Sequence, residues 1–221
     1  MRFQNIPLII VCFTFFFLLS CGVSNVTEKP DSKLISQTYV YECSGGYNFT
    51  ARVENENVWL FLPNQTIKLP HVISGSGSKY SEGDKLFWSK GEEALLELAG
   101  EKYKGCINNH AKAIWEDAKL DGWDYRAIGN EPGWHILISR KNRIVFVSNY
   151  GRRINTFTTP EPLINQTDRT ATYLAREDGH VLELILKGTK CLDSMSDESF
   201  ETTVTVILDG KTFNGCGRSL H

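Results

Sequence analysis

Apolar and polar positions fall into four textures along this chain. Ile6 to Leu19 is an almost unbroken apolar run centred on Phe15, Phe16 and Phe17, preceded by Arg2. It is shorter than the ~20 apolar residues a membrane-crossing helix needs, so it predicts a signal-peptide core. Val23 to Gln37 is polar and aperiodic and predicts a tether. From Thr38 the texture changes to short runs rich in aromatic and β-branched residues. Thr38–Cys43, Tyr47–Glu54, Asn57–Leu62, Gln65–Val72, Lys85–Ser89, Ala94–Leu98 and Tyr103–Ile107 predict strands, with turns at Ser44-Gly45-Gly46 and Glu54-Asn55-Glu56-Asn57. One stretch, Ala111 to Leu120, has helical character, with Ile114, Ala118 and Trp115 on one face and Asp121-Gly122 as its stop.

Beyond the helix the period of two returns. Strands are predicted at Asp124–Ile128, His135–Ser139, Arg143–Ser148, Arg152–Thr158, Ala171–Ala175, Val181–Lys187, Thr202–Leu208 and Thr212–Asn214. Lys141-Asn142, Asp178-Gly179 and Asp209-Gly210 punctuate them as hairpin turns should, and Pro160 and Pro162 mark a long loop. The pattern is all-β: a small antiparallel β-barrel followed by a second β-rich domain. The expected organisation is a signal peptide at 1–20, a lipidated tether at 21–37, a barrel at 38–109, a linker with a short helix at 110–123, and a β-rich domain at 124–221.

Charge and cysteines narrow the function. The 24 basic and 26 acidic residues nearly cancel, so the electrostatic footprint of a nucleic-acid binder is missing. Cys12 lies in the apolar run and Cys21 at its end, leaving Cys43, Cys106, Cys191 and Cys216. Four cysteines allow three pairings; the simplest joins Cys43 to Cys106 and Cys191 to Cys216, closing each half of the chain. Such bridges fit an oxidising compartment and typically contribute about 2–4 kcal/mol each. No CxxC pair or His at ligand spacing argues for a metal, and no cofactor motif is present. His71, His110, His135, His180 and His221 are scattered, and no Gly-x-Ser-x-Gly, His-Glu-x-x-His or phosphate loop occurs, so no catalytic residue is assigned. Glu131, Asp193 and Arg218 are polar candidates without a reaction, and Asn130-Glu131-Pro132-Gly133 reads as a turn. The sequons at Asn25, Asn48, Asn64 and Asn165 read as turn and strand positions.

Leu18-Leu19-Ser20-Cys21-Gly22 resembles the lipobox of bacterial lipoproteins. The resemblance implies cleavage before Cys21 and acylation of its thiol and new α-amino group. Gly22 in place of Asp implies, by resemblance to Gram-negative lipoproteins, an outer-membrane protein facing the periplasm. Each buried CH₂ contributes about 0.8 kcal/mol, so several acyl chains anchor firmly.

The most informative stretch is Ser74-Gly75-Ser76-Gly77-Ser78-Lys79-Tyr80, then Lys85-Leu86-Phe87-Trp88-Ser89-Lys90-Gly91, then Tyr103-Lys104-Gly105-Cys106. The first piece is a small-residue loop whose glycines permit close approach to another surface. If it forms a hairpin with the second, Ser76 and Lys90 share one rim. A hydroxyl beside an ammonium suits paired carboxylates. Phe87 and Trp88 read as core; Glu82, Asp84, Glu92 and Glu93 read as a solvated acidic face.

In order and spacing these motifs, with Tyr41-x-Cys43 before them, resemble the membrane-bound inhibitors of c-type lysozyme over about Thr38 to Ile107. That resemblance implies a small barrel tied by Cys43–Cys106, a c-type lysozyme as protein partner, and no enzymatic activity. It also implies that Ser76 and Lys90, with Gly77, Lys79 and Tyr80, bind lysozyme and approach its catalytic carboxylates. Lys79 departs from the Arg found in many members, which weakens a bidentate role there; Ser74 is the alternative to Ser76 if the register shifts. Tyr125 to Trp134, Cys191 to Ser196 and Gly215 to Arg218 resemble an uncharacterised family of bacterial lipoprotein domains. They imply a compact β-domain closed by Cys191–Cys216. The competing reading is an envelope-binding or stress-associated lipoprotein without lysozyme inhibition, and a third is an enzyme with a site in the second half.

Overall fold

The computed structural model describes residues 36–221. The expected signal peptide, Cys21 and nearly all of the expected tether lie outside the described residues.

Eight strands come first: β1 (Ser36–Glu42), β2 (Asn48–Glu54), β3 (Asn57–Phe61), β4 (Thr66–Val72), β5 (Ser78–Glu82), β6 (Lys85–Lys90), β7 (Glu93–Leu98) and β8 (Glu101–Asn108). They form a closed antiparallel barrel in sequence order. The seam is the pairing of Tyr41 with Asn108 and Glu42 with Ile107. The next pair outward in that register is Cys43 with Cys106, which form a disulfide. Alternation explains the core: Phe49 and Ala51, Val58 and Leu60, Tyr80, Phe87, Ala94 and Leu96 point inward around Tyr41.

The sequence pattern predicts no strand at β5. Its residues, Ser78-Lys79-Tyr80-Ser81-Glu82, are polar except Tyr80. That single inward aromatic and full pairing with β6 suffice to hold it in the sheet.

Helix α1 (His110–Leu120) follows, capped by Asn109, whose side chain accepts from the Lys112 amide. It buries Ala113, Trp115 and Ala118. Ile114, expected on the buried face, is 51% exposed; the buried stripe is set one position away, where Trp115 packs on Phe200, Cys216 and Leu220. Arg52 of β2 reaches Asp121 at 2.7 Å and Asp117 at 3.6 Å, and Thr38 donates to Asp117 at 2.6 Å. On its other side Trp115 and Ala118 pack with Phe200, Cys216 and Leu220.

The remaining strands are β9 (Tyr125–Asn130), β10 (Gly133–Ile138), β11 (Arg143–Ser148), β12 (Arg153–Thr158), β13 (Leu163–Asn165), β14 (Thr170–Glu177), β15 (His180–Lys187), β16 (Cys191–Leu192), β17 (Ser199–Phe200), β18 (Thr202–Leu208) and β19 (Lys211–Ser219). Nine of them form a curled sheet in the order β12-β11-β10-β9-β19-β18-β15-β14-β13. Its concave side holds Trp134, Ile136, Ile144, Phe146, Phe157, Leu184, Val206 and Phe213. β16 and β17 pair separately, and Cys191–Cys216 ties them to β19. The fold class is thus all-β, a small antiparallel barrel followed by a second β-rich sheet. The proline-marked loop carries the short strand β13, whose three exposed residues give no periodic signal.

Candidate functional site

Between β4 and β5 the chain makes the loop Ile73 to Gly77. Ser74 staples it: its hydroxyl donates to the carbonyl of Gly77 at 2.9 Å and of Ser76 at 3.2 Å. Trp88 on β6 fixes the tip, its indole N–H donating to the Ser76 carbonyl at 2.8 Å. Gly77 sits at φ +68°, and a Cβ there would lie 2.3 Å from the Ser89 carbonyl oxygen and 3.2 Å from Lys90 Cβ. Only glycine permits that approach. Because Ser78 pairs with Ser89, the next position outward sets Gly77 against Lys90.

The exposed Ser76 and Lys90 therefore leave the same rim of the barrel. Among the described residues, Ser76 makes no side-chain hydrogen bond, and Lys79, Lys90 and Lys104 make no ion pair. Ser74, by contrast, spends its hydroxyl inside the loop. Gly91, at φ +59°, turns β6 into β7 and sets Lys90 opposite Glu93. Glu92 is drawn away, its carboxylate 2.6 Å from His110 and 3.3 Å from the Asn108 amide.

Trp88 and Leu95 line two adjoining shallow cavities on the outer wall. One, of 510 Å³, is lined by Ile73, Ser74, Gly75, Ser76, Lys79 and Leu86 as well. The other, of 240 Å³, adds Lys90, Glu93, Ala94, Lys104 and Gly105. The wall thus offers apolar surface bounded by three lysines.

Two expectations change. Tyr80, expected to touch a partner, is 4% exposed. The pleat turns it inward with Phe87, ring centroids 6.0 Å apart, and burial pushes its hydroxyl pKa up. Its neighbour Lys79 consequently faces outward, paired with Trp88. Trp88, expected in the core beside Phe87, is on the outer face for the same reason; Phe87 is fully buried. Sequence reasoning also passed over Ile73, which is 97% exposed at the base of the loop. An isoleucine embedded in a Ser/Gly run was the available signal.

The polar candidates of the second half do not converge. Glu131 is exposed in the β9–β10 turn. Burial opposes ionisation of Asp193, yet hydrogen bonds from Ser196, Asn130 and the Met195 amide hold its carboxyl below the usual range. It organises a turn. Arg218 pairs with Glu198 at 2.8 Å and lies 4.4 Å from the Trp115 ring centroid. Among the described residues there is no cluster of three or more His, Cys, Asp or Glu that could hold a metal.

Comparison with known proteins matches residues 41–104 to the family described as membrane-bound lysozyme-inhibitor of c-type lysozyme. A protein of that name from Pseudomonas aeruginosa is 39% identical over 94 residues, 36% of this chain and 74% of the relative. Another from Yersinia enterocolitica is 39% identical over 82 residues, 36% of this chain and 64% of the relative. The Escherichia coli protein is 33% identical over 66 residues, 29% of this chain and 60% of the relative. The crystal structure of Pseudomonas aeruginosa MliC in complex with hen egg white lysozyme is 29% identical and covers 41% of this chain and 99% of that chain, with a TM-score of 0.29.

Proposed function

Given that this chain belongs to the family of membrane-bound inhibitors of c-type lysozyme, we propose that its barrel inhibits a c-type lysozyme by inserting the Ser76–Lys90 rim into the enzyme's cleft. The observation that carries the reading is the rim itself. A hydroxyl and an ammonium leave one edge together, and neither is used up by the chain's own structure. The role is one of protein binding, in keeping with relatives named as inhibitors rather than enzymes.

The chemistry follows from what a lysozyme needs. A retaining glycosidase uses two carboxyls, one as acid and one as nucleophile. The Lys90 ammonium about 4 Å from a carboxylate would gain on the order of 4 kcal/mol before desolvation, at an effective dielectric near 20. It would also lower the pKa of the general acid and remove the proton that catalysis requires. Ser76 would hydrogen-bond the same carboxylates, with Gly77 keeping the tip close to β6. Lys79 would contribute from the neighbouring outer wall, and Tyr80 would act from within by holding β5.

In this reading the barrel, 38–109, is the inhibitory domain, 110–123 is the connection and 124–221 a second domain. The chain is held at the outer membrane, facing the periplasm, by lipid on Cys21. Acylation would concentrate the inhibitor where it guards peptidoglycan.

The test is lysis of bacterial cell walls by a c-type lysozyme in the presence of the purified chain. Dose-dependent protection is expected, and Ser76→Ala should weaken it by about 1–3 kcal/mol, the range for leaving a buried polar partner without its hydrogen bond. Full lysis at a large molar excess of inhibitor would overturn the proposal.

A further inference from the structure

The curled sheet has a cavity that inhibition does not use. Four hairpin turns of that sheet collect at one end: β9–β10, β11–β12, β14–β15 and β18–β19. The registers require it, since Gly133 pairs with Asn130, Ser148 with Arg153, Glu177 with His180 and Leu208 with Lys211. Between them opens a cavity of 730 Å³. That lies within the range of roughly 300–1,000 Å³ common for small-molecule sites, which favour the mouths of curled sheets and barrels.

Its lining is divided by chemistry. Arg152, Arg153 and Lys211 stand on the wall, and Ile154, Leu208 and Phe213 supply apolar surface. Phe213 belongs to the core and Leu208 packs against it, so the apolar part of the mouth continues the sheet's interior. Lys211 Nζ lies 5.0 Å from the Phe213 ring centroid. None of the three cations has an ion-pair partner among the described residues. The one acid in the lining, Asp209, is already engaged. It accepts from the Val181 amide at 2.9 Å and lies 2.6 Å from His180 Nδ1, and these contacts hold its carboxyl below the usual range. Glu131 and Asp178 occupy the flanking turns but do not line the cavity.

We propose that this mouth is a binding site for a phosphate monoester, with Arg152, Arg153 and Lys211 around the phosphate and Leu208 and Phe213 against its apolar substituent. One guanidinium fork satisfies a carboxylate; three cations beside a single carboxylate already hydrogen-bonded by His180 and the Val181 amide call for a group with more than one negative charge and three acceptor oxygens. The apolar surface distinguishes the two sources of that group: an acidic lipid headgroup would use it, free phosphate would not. The proposal does not depend on lysozyme binding.

The experiment is an amide NMR titration of the purified full chain, held in a non-ionic sugar detergent. The probes are dihexanoyl phosphatidic acid, inorganic phosphate and dihexanoyl phosphatidylcholine. Phosphatidic acid is expected to shift, saturably, the amides of 149–155 and 208–213. Inorganic phosphate should shift the same set with affinity about 10-fold or more weaker, and phosphatidylcholine should not saturate there. Equal affinity for inorganic phosphate would show that the apolar substituent adds nothing and would overturn the monoester assignment. The exposed pair Arg152→Glu with Arg153→Glu should weaken phosphatidic acid by about 10-fold or more, with barrel amides unmoved as the control for folding. Lys211→Ala alone should weaken it less. Equal binding of phosphatidylcholine, undiminished binding by the double variant, or no saturable shift with either phosphate probe would overturn the proposal.

Discussion

The barrel and the curled sheet are both antiparallel, both wrap an aromatic core and each carries one disulfide, yet only the barrel closes. In the barrel the covalent tie sits at the seam, where Cys43 and Cys106 extend the β1–β8 pairing. In the larger sheet Cys191–Cys216 fastens the β16–β17 hairpin to β19 and leaves the edge strands β12 and β13 apart. Across that gap the Glu177 side chain accepts from the Thr158 amide at 2.6 Å. Closure frees the barrel to present a rigid rim and outer wall, because no edge needs protection. The open sheet instead offers its interior at the mouth. The difference places one candidate site outside a closed curve and the other inside an open one.

The largest expected effects come from the disulfides. A chain-entropy estimate gives about 4 kcal/mol for a bridge spanning the separation of Cys43 and Cys106, and about 3.5 kcal/mol for that of Cys191 and Cys216. Urea unfolding of Cys43→Ala with Cys106→Ala should show the greater loss, with faster amide exchange in β1 and β8. A greater loss from Cys191→Ala with Cys216→Ala would break the contrast between seam and side-branch.

Next comes the rim. Gly77→Ala forces a Cβ within 2.3 Å of the Ser89 carbonyl at a positive φ, whereas a Cβ at Gly75 meets nothing within 4 Å. The first should cost about 1–3 kcal/mol and at least ten-fold in inhibition. The second should leave both near wild type. Equal behaviour of the two in a lysozyme inhibition assay would show that the tip's approach to β6 is irrelevant.

At the open edge, Glu177→Ala should cost about 0.5–1.5 kcal/mol and accelerate exchange of the Thr158 amide while the barrel amides are unaffected. Exchange unchanged at Thr158 would mean that the gap is held some other way.

The smallest effect is a pH dependence. His135 on β10 is pushed down to about 4, first by burial and then by the nearby Arg126. Below its ordinary value of about 6.5 the unfolded chain takes up a proton that the folded chain refuses. Stability contributed there is complete above about 6.5 and is lost as pH falls toward about 4. Because the ring is only partly buried, the loss between pH 7 and pH 5 should be on the order of 1 kcal/mol or less. Urea midpoints at the two pH values should differ more for the wild type than for His135→Gln; equal differences would contradict this.

Much of this was readable in the residues. Period-two alternation marked the long half-buried strands such as Asn48–Glu54 and His180–Lys187, where one face is apolar and the other wet. It missed β5 and β13, whose residues are polar or wholly exposed, because pairing holds those strands and burial does not. For the site, the shared rim of Ser76 and Lys90 followed from reading two segments as a hairpin. The opposite orientations of Tyr80 and Trp88 did not, since adjacent aromatics are ambiguous until the register fixes which one faces in. Arg152 and Arg153 are neighbours, but Lys211 lies far along the chain and meets them only through strand order, so no local pattern could join the three.

If the Lys90 ammonium at the barrel rim enters an acidic cleft, the dissociation constant of the chain for a c-type lysozyme must depend on it, and a comparison of the wild type with Lys90→Ala reads that dependence. The variant should bind more weakly by about 2–5 kcal/mol, the usual effect of truncating one partner of a buried charge pair. An unchanged dissociation constant in a variant that folds normally would contradict it.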